Sequence, residues 1–298
     1  MNSSPKILVV YKKSRYEQYV IDEADPTVMR LIEKDHVSVH SLLASHKTHR
    51  ESLESIIAQL NTLGLRYDCI YRGDVVDTSP YDLIVAVGGD GTVLDLSHRV
   101  NDAPMLAINS DPKVSVGYFT AGTAKDFARL LDDTLLGRWE PVALHRFAIK
   151  INGQRCGFPV LNDVLVTHAN PAAVSHYLLK VGNHSFEEQK SSGIWIATPA
   201  GSTGAIRSAG GYVLPYNSDN LQYLVREPYP PKVGGYRFLK GIQPFSEPFE
   251  VISRMRDGRL FLDGPHSFYP FTIGDVVSVD PNAQPLQLYG IKEERRTA

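Results

Sequence analysis

The chain has 298 residues, a length that favours two domains of roughly 150 residues each and leaves ample room for a buried core. Hydrophobic residues make up 43% and charged residues 21%, the balance of a folded globular protein, which excludes disorder and low-complexity scaffolding. Lys and Arg total 31 against 33 Asp and Glu, and the net charge of -2 argues against a general DNA- or RNA-binding role because it offers no basic field.

Two cysteines, Cys69 and Cys156, are too few for a disulfide framework and lack zinc-site spacing, which points to a reducing compartment. No stretch approaches the roughly 18 apolar residues of a bilayer span, and residues 1–11 turn polar too soon for a signal peptide. A cytoplasmic protein without membrane attachment is expected. The ten histidines are scattered and none stands at H-E-x-x-H spacing, so any metal is expected to arrive with a substrate.

In chain order, residues 6–11 (KILVVY) read as a buried strand of a parallel sheet. Thr48 and Glu51 form a capping-box pattern, and Leu53, Ile56, Ile57, Leu60 and Leu63 then share one helical face before Gly64. Residues 68–71 and 83–87 read as strands, 93–100 as a helix, 105–109 as a strand and 123–131 as a further capped helix. This alternation predicts an α/β domain with a mostly parallel, Rossmann-like sheet. After residue 139 the texture changes. Short β-prone runs at 142–151, 155–161, 164–168, 177–181, 194–198, 259–262, 276–279 and 286–289, with a hairpin signal at Asn152-Gly153, predict a β-rich, sandwich-like second domain. Residues 217–246, rich in Pro, Gly and aromatics, read as an ordered loop. The boundary is expected near residue 137, giving domains 1–137 and 138–298, with the extreme C-terminus able to pack back on the first.

Three segments carry chemistry. In IVAVGGDGTVL (residues 84–94) a buried strand runs into Gly88, Gly89 and Gly91, and a helix begins near Thr92. Glycines expose amide N–H groups and the helix N-terminus adds partial positive charge, so the loop suits phosphate. Asp90 would repel what the loop attracts. Either it takes a proton from an attacking hydroxyl or meets phosphate through Mg²⁺, or it merely caps the helix in a tight turn. In residues 191–211 a strand leads into a loop of small and hydroxyl-bearing residues, where Ser202, Thr203 and Ser208 can bond ribose and phosphate oxygens; a surface turn is the plain alternative. Asn162-Asp163 puts an amide and a carboxylate between two strand-like runs, where both reach one ligand only if the backbone bends; structural capping is the alternative.

Together these segments resemble the NAD kinase family: Gly88 to Gly91 as its glycine-glycine-aspartate-glycine loop, Asn162-Asp163 as its asparagine-acidic pair, and Thr198 to Gly211 as its threonine-proline-x-glycine-serine-threonine loop. The plant-type, NADH-preferring members are closer still, through residues 108–112 (INSDP), 171–175 (PAAVS), Ser191-Ser192-Gly193 and 225–228 (VREP). Phosphofructokinases and diacylglycerol-type lipid kinases share a similar glycine loop, but the full set is specific.

The resemblance implies phosphoryl transfer from ATP with Mg²⁺, or from polyphosphate, to the 2'-hydroxyl of the adenosine ribose of NADH or NAD⁺. It implies that Asp90 is the general base, that Gly88, Gly89, Gly91 and Thr92 hold the phosphates, and that Asn162, Asp163, Ser202, Thr203, Gly204, Ala205, Ser208 and, more weakly, Asp263 hold the dinucleotide. It also implies a site between two domains, within a homodimer or tetramer. Two places depart from the wider family: Ser192-Gly193 replaces an aspartate-glycine pair, and Gly204-Ala205 an alanine-tyrosine pair. An acidic group near the nicotinamide favours the cationic, oxidised ring, so its loss predicts use of NADH at least as well as NAD⁺. A lipid kinase sharing the glycine loop would need an apolar acceptor pocket, against which Asn162, Ser202 and Thr203 argue; a non-catalytic dinucleotide sensor would show a degraded Asp90 loop, and this one is intact.

Overall fold

The computed structural model describes residues 5–75, 77–100, 102–231 and 233–297. The chain divides into two compact units, Met1–Val142 with Gln287–Arg295, and Ala143–Leu286 with Arg296–Ala298.

The first unit is built on parallel strands β1 (Ile7–Tyr11), β2 (Tyr67–Tyr71), β3 (Leu83–Gly88) and β4 (Met105–Asn109). The short β5 (Gly122–Thr123) pairs with β4, and the sheet order is β2-β1-β3-β4, then β19 (Leu286–Tyr289) and β6 (Val142–Leu144). Strands β3 and β4 are buried at every position, which is why they read as unbroken apolar runs rather than alternations. Helices α1 (Pro26–Glu33), α2 (His40–Thr62), α3 (Asp90–Ser97) and α4 (Phe127–Leu135) connect them. Leu53, Ile56 and Leu60 of α2 and Phe127, Leu130 and Leu131 of α4 pack on Ile7, Val9, Val85 and Leu106. Each such side chain contributes about 1.5–3 kcal/mol on burial.

Several sequence expectations shift here. Thr48 does not start a helix: α2 begins at His40, and the Thr48 hydroxyl donates to Ala44 O (3.0 Å) inside it. The helix expected from residue 123 starts at Phe127, because the Asp126 carboxylate holds Thr123 N and Oγ1 (3.0 and 2.9 Å) in a turn. The helix expected from residue 93 begins three residues earlier, at Asp90. Strand β19, expected in the β-rich domain, pairs in parallel with β4. The α1 segment was not anticipated; Asp25 caps it by accepting from Thr27 N and Val28 N, with Pro26 in the first turn.

The second unit holds two six-stranded antiparallel sheets. One runs β11 (Glu187–Ser191), β10 (Ser175–Val181), β15 (Phe249–Ser253), β18 (Val276–Asp280), β7 (Ala148–Ile151), β8 (Gln154–Arg155). The other runs β14 (Lys240–Pro244), β13 (Asn220–Arg226), β12 (Gly193–Ala197), β9 (Asp163–His168), β16 (Gly258–Leu262), β17 (Phe268–Phe271). Side chains of both sheets, among them Tyr177, Leu179, Phe249 and Val251 from one and Val164, Val166, Ile196 and Leu260 from the other, form one core, so the unit is a sandwich. The hairpin at Asn152-Gly153 forms as read, with both residues at positive φ (52° and 80°). The supposed loop at 217–246 contains β13 and β14. Gln222, wholly buried in β13 and bonded through its amide to Tyr212 N and O, breaks the apolar pattern that would have revealed the strand. Among the described residues, no helix is long and apolar enough to cross a membrane.

Candidate functional site

In the first unit, β3 delivers Gly88 and Gly89 to the carboxyl edge of the sheet, the edge where open α/β sheets bind ligands. A Cβ on Gly88 would lie 2.1 Å from Thr92 Oγ1, and one on Gly89 2.4 Å from Ser115 Oγ, so neither position accepts a side chain. Among the first amides of α3, Thr92 N and Val93 N donate back to Gly89 O (2.9 and 3.4 Å), which closes the turn of the loop onto the helix. Thr92 is buried, and its Oγ1 has no hydrogen-bond partner among the described residues. Beside the loop, Arg72 Nη1 donates to Gly91 O (3.4 Å) while its Nε faces the Asp95 carboxylate (3.9 Å), which brings a guanidinium to the glycine loop.

Asp90 does not cap the helix. It is the first helical residue, and its half-buried carboxylate reaches across to a distant turn, accepting from Gly117 N (3.2 Å) and Phe119 N (2.8 Å). Two amide donors fix the side-chain rotamer while each oxygen retains a lone pair for another partner. The turn is itself supported by Asn109, whose Nδ2 donates to Ser115 O (3.0 Å) and whose Oδ1 accepts from Asp111 N (3.1 Å).

In the second unit the remaining sequence-predicted residues converge. Thr198 N donates to Asn162 O (2.9 Å) and the Thr198 hydroxyl to Leu161 O, so the loop after β12 lies along residues 161–163. Gly201 presses on this segment so closely that a Cβ would sit 2.0 Å from Asn162 O. Thr203 and Gly204 are half-buried, and Ala205 and Ser208 of the short helix α5 (Ala205–Ser208) are exposed at the surface of the loop. Ser202 and Asp263 play different parts from those expected. Ser202 is wholly buried; its hydroxyl donates to Pro199 O (2.7 Å) and accepts from Leu214 N (2.9 Å), so it braces the loop from within. The Asp263 carboxylate accepts from Leu161 N, Asn162 N and Asp163 N (2.9, 2.7 and 3.1 Å), and its own amide donates to Asp163 O. It gathers the backbone of residues 161–163 onto one carboxylate, and its positive φ of 51° is one that Asp tolerates.

At this bend the buried Asn162 Oδ1 has no hydrogen-bond partner among the described residues, and the buried Asp163 carboxyl stands 3.5 Å from where a Gly204 Cβ would be. Burial, with the charge of Asp263 second, pushes the Asp163 pKa up to about 7. Arg146, also buried, donates through Nε to Gln284 O (2.6 Å); burial lowers its pKa to about 10 against the opposing pull of Asp263. An unsatisfied buried group such as Asn162 Oδ1 costs about 1–3 kcal/mol, which a ligand supplying a hydroxyl or amine donor would recover. Arg72 and Arg146 were not identified from the sequence, where an isolated arginine between strands carries no signal.

Ser192 does not join this group. It precedes β12, at the opposite end from Ala197, which pairs with Asp163, and five residues of strand put it roughly 16 Å away at about 3.3 Å per residue. Within one chain, the acceptor-preference argument therefore rests on Ala205 alone. A polar cavity lined by Asp77, Ser79, Asp82, Arg99 and Pro104 sits at the amino ends of β3 and β4, the wrong end of the sheet for this chemistry.

The close approach of Gly201 gives a direct test. Gly201→Ala is expected to lower the thermal unfolding midpoint by roughly 3 to 10 °C, since the clash is with backbone that cannot yield. Gly91→Ala, where nothing lies within 4 Å, should leave the midpoint unchanged. Equal melts for the two variants would mean that the loop is not seated on Asn162.

Two family models match: the ATP-NAD kinase N-terminal domain over residues 15–139 and the ATP-NAD kinase C-terminal domain over residues 161–223. A probable NADH kinase of Oryza sativa subsp. japonica is 33% identical over 264 residues, 81% of each chain. An NADH kinase of Arabidopsis thaliana is 31% identical, covering 82% of this chain and 84% of the relative. Among solved structures, yeast NADH kinase complexed with NADH aligns at a TM-score of 0.70 with 16% identity, covering 96% of this chain and 83% of that one. An NAD kinase from Archaeoglobus fulgidus in complex with ATP aligns at 0.67 with 20% identity, covering 98% and 95%. These two likenesses concern the fold.

Proposed function

The chain belongs to the NAD kinase family, and from that membership we propose how its residues carry the reaction and which acceptor they favour. It is an NAD(H) kinase, a phosphotransferase with an alcohol acceptor. The 2'-oxygen of the adenosine ribose attacks the γ-phosphorus of ATP, the bond from that phosphorus to the bridging oxygen of ADP breaks, and the hydroxyl proton passes to Asp90. A ribose hydroxyl is a poor nucleophile at neutral pH, so a correctly aimed carboxylate matters, and the two amides at Gly117 and Phe119 do the aiming. The glycine loop at Gly88, Gly89 and Gly91, the positive end of α3 and Arg72 take the triphosphate charge. Mg²⁺ enters with ATP and offsets further charge; the oxygens of Asp90 and Thr92 are of the hard type it accepts.

The observation that carries this reading for the acceptor is the unpartnered Asn162 Oδ1 at the bend, next to the buried Asp163 carboxyl with Gly204 close by. One accepts and the other accepts or donates, a match for ribose hydroxyls and the adenine amine rather than for a lipid glycerol. NADH is used at least as well as NAD⁺, because Ala205 offers no aromatic wall and the named plant relatives are NADH kinases. With the family go a cytoplasmic location and a homodimer or tetramer, which size measurement in solution would test.

A coupled assay crossing NADH and NAD⁺ with ATP and inorganic polyphosphate tests the whole reading. The expected result is turnover of both acceptors with ATP and Mg²⁺, kcat/KM for NADH equalling or exceeding that for NAD⁺. A strong preference for NAD⁺ would remove the acceptor assignment; no turnover of either would remove the kinase reading.

A further inference from the structure

The last turn of the chain places two consecutive arginines on two loops already described. In α6 (Glu294–Thr297), Arg295 falls in the first unit and Arg296 in the second. Within the first unit, Arg295 Nη1 donates to the carbonyls of Gly117 (3.1 Å) and Thr120 (2.5 Å). The amides of that same turn, at Gly117 and Phe119, are the two groups that aim the Asp90 carboxylate. The turn is therefore gripped by its carbonyls from the arginine and by its amides from the aspartate.

Within the second unit, Arg296 is wholly buried, although arginine is among the residue types least often enclosed. Its Nη2 donates to Pro199 O and to Ser202 Oγ (2.5 Å), and its guanidinium stands 3.8 Å from the centre of the Tyr216 ring. Pro199 and Ser202 flank Gly201, the residue that seats the loop on Asn162. The guanidinium thus holds the root from which Thr203, Gly204 and Ala205 extend. Without it, Pro199 O keeps the Ser202 hydroxyl and amide as donors and Ser202 Oγ keeps Leu214 N, so the loss is of the fork and ring contact that tie the root to the end of the chain.

We propose that this arginine pair positions both partners of the reaction: Arg295 sets the base through the turn at residues 117–120, and Arg296 sets the acceptor loop. Neither arginine touches substrate. The inference rests on reading Asp90 as the base and residues 198–208 as the acceptor loop, and it predicts that two neighbouring residues of like charge give opposite kinetic signatures.

The test compares Arg295→Ala, Arg295→Lys, Arg296→Ala and Arg296→Lys with the wild-type full chain for kcat, KM for NADH, KM for ATP and unfolding midpoint. Arg295→Ala is expected to lower kcat by about ten- to a hundredfold with KM for NADH within about twofold. Arg296→Ala is expected to raise KM for NADH by about tenfold with a smaller change in kcat. Lysine retains the charge but not the planar fork, so each lysine variant should recover part of its own deficit. If Arg296→Ala does not fold, Arg296→Lys carries the KM measurement. Amide hydrogen exchange then reads the same point without turnover: residues 117–120 loosen in the Arg295 variants and residues 199–208 in the Arg296 variants. Losses of the same kind from both arginines, tracking the unfolding midpoint, or exchange rising alike in both loops, would overturn the proposal. A wild-type chain without NAD(H) kinase activity would refute the functional reading instead, and the exchange pattern would still decide whether each arginine holds its own loop.

Discussion

Replacing Asp90 by Asn is expected to lower kcat by about 10² to 10⁴, the range for losing a general base, while NADH still binds. Asparagine keeps the size of the side chain but not its symmetry. Of the two amides that face Asp90, one would still meet a carbonyl oxygen, and the other would meet an NH₂ group that cannot accept from it. That mismatch costs about 1 kcal/mol of stability, far less than the 3 to 5 kcal/mol of barrier that the expected rate loss represents. The two effects are therefore separable: calorimetric titration with NADH and a thermal melt report the structural part, and single-turnover kinetics with ATP report the chemistry. A folded variant retaining more than about a tenth of wild-type kcat would leave Asp90 as a brace for the turn at 117–119 and would require another base.

How much of this was legible depends on whether the physics is local. Strands β3 and β4 could be read because both of their faces are buried, which leaves no polar residue to interrupt the run, and the glycine loop could be read because close approach demands glycine whatever surrounds it. Strand β13 could not, since its buried Gln222 is satisfied by Tyr212, ten residues away. Strand β19 reads as a strand, but its apolar alternation does not specify its neighbour β4, nearly two hundred residues earlier in the chain. The first half of α2 is polar around much of its surface, so only the stretch ending in Leu53, Ile56 and Leu60 carried a helical period.

The site divides in the same way. Asn162, Asp163, Thr203 and Asp90 carry their signal in type and motif; Asp90 and Thr203 are half-buried, while Asn162 Oδ1 and Asp163 lie buried at the bend. Ser202 and Asp263 were also identified by motif, but they act one layer further in, on the loop and on the bend. A hydroxyl and a carboxylate serve a backbone amide as readily as a ribose, and composition does not distinguish the two. Arg146, Arg295 and Arg296 belong to that inner layer as well, and nothing in their sequence neighbours marks them.

Asp163 carries the second large expectation, and its sign follows from the elevated pKa. An aspartate ordinarily loses its proton near 3.8; here burial and the neighbouring Asp263 charge hold the proton until about pH 7. Between those values the folded protein binds a proton that the unfolded chain does not, so this group penalises folding increasingly as pH rises toward 7 and most above it. Asp163→Asn should therefore stabilise the ligand-free protein at pH 8 by about 2 to 4 kcal/mol and much less near pH 5, read as a pH-dependent gap between the two unfolding midpoints. Binding should run the other way. If ribose hydroxyls donate to the carboxylate, NADH favours its charged form, so affinity for the wild type rises as pH climbs through 7 and binding releases a proton. The asparagine variant should lose both the pH dependence and about tenfold in affinity, the value of one hydrogen bond to a charged group. Calorimetry at pH 7 in two buffers of different ionisation enthalpy counts the proton directly. Binding of NADH that releases no proton and does not change between pH 6 and 8 would show that Asp163 is not a contact for the dinucleotide, leaving Asn162 as the polar group at the bend that meets it.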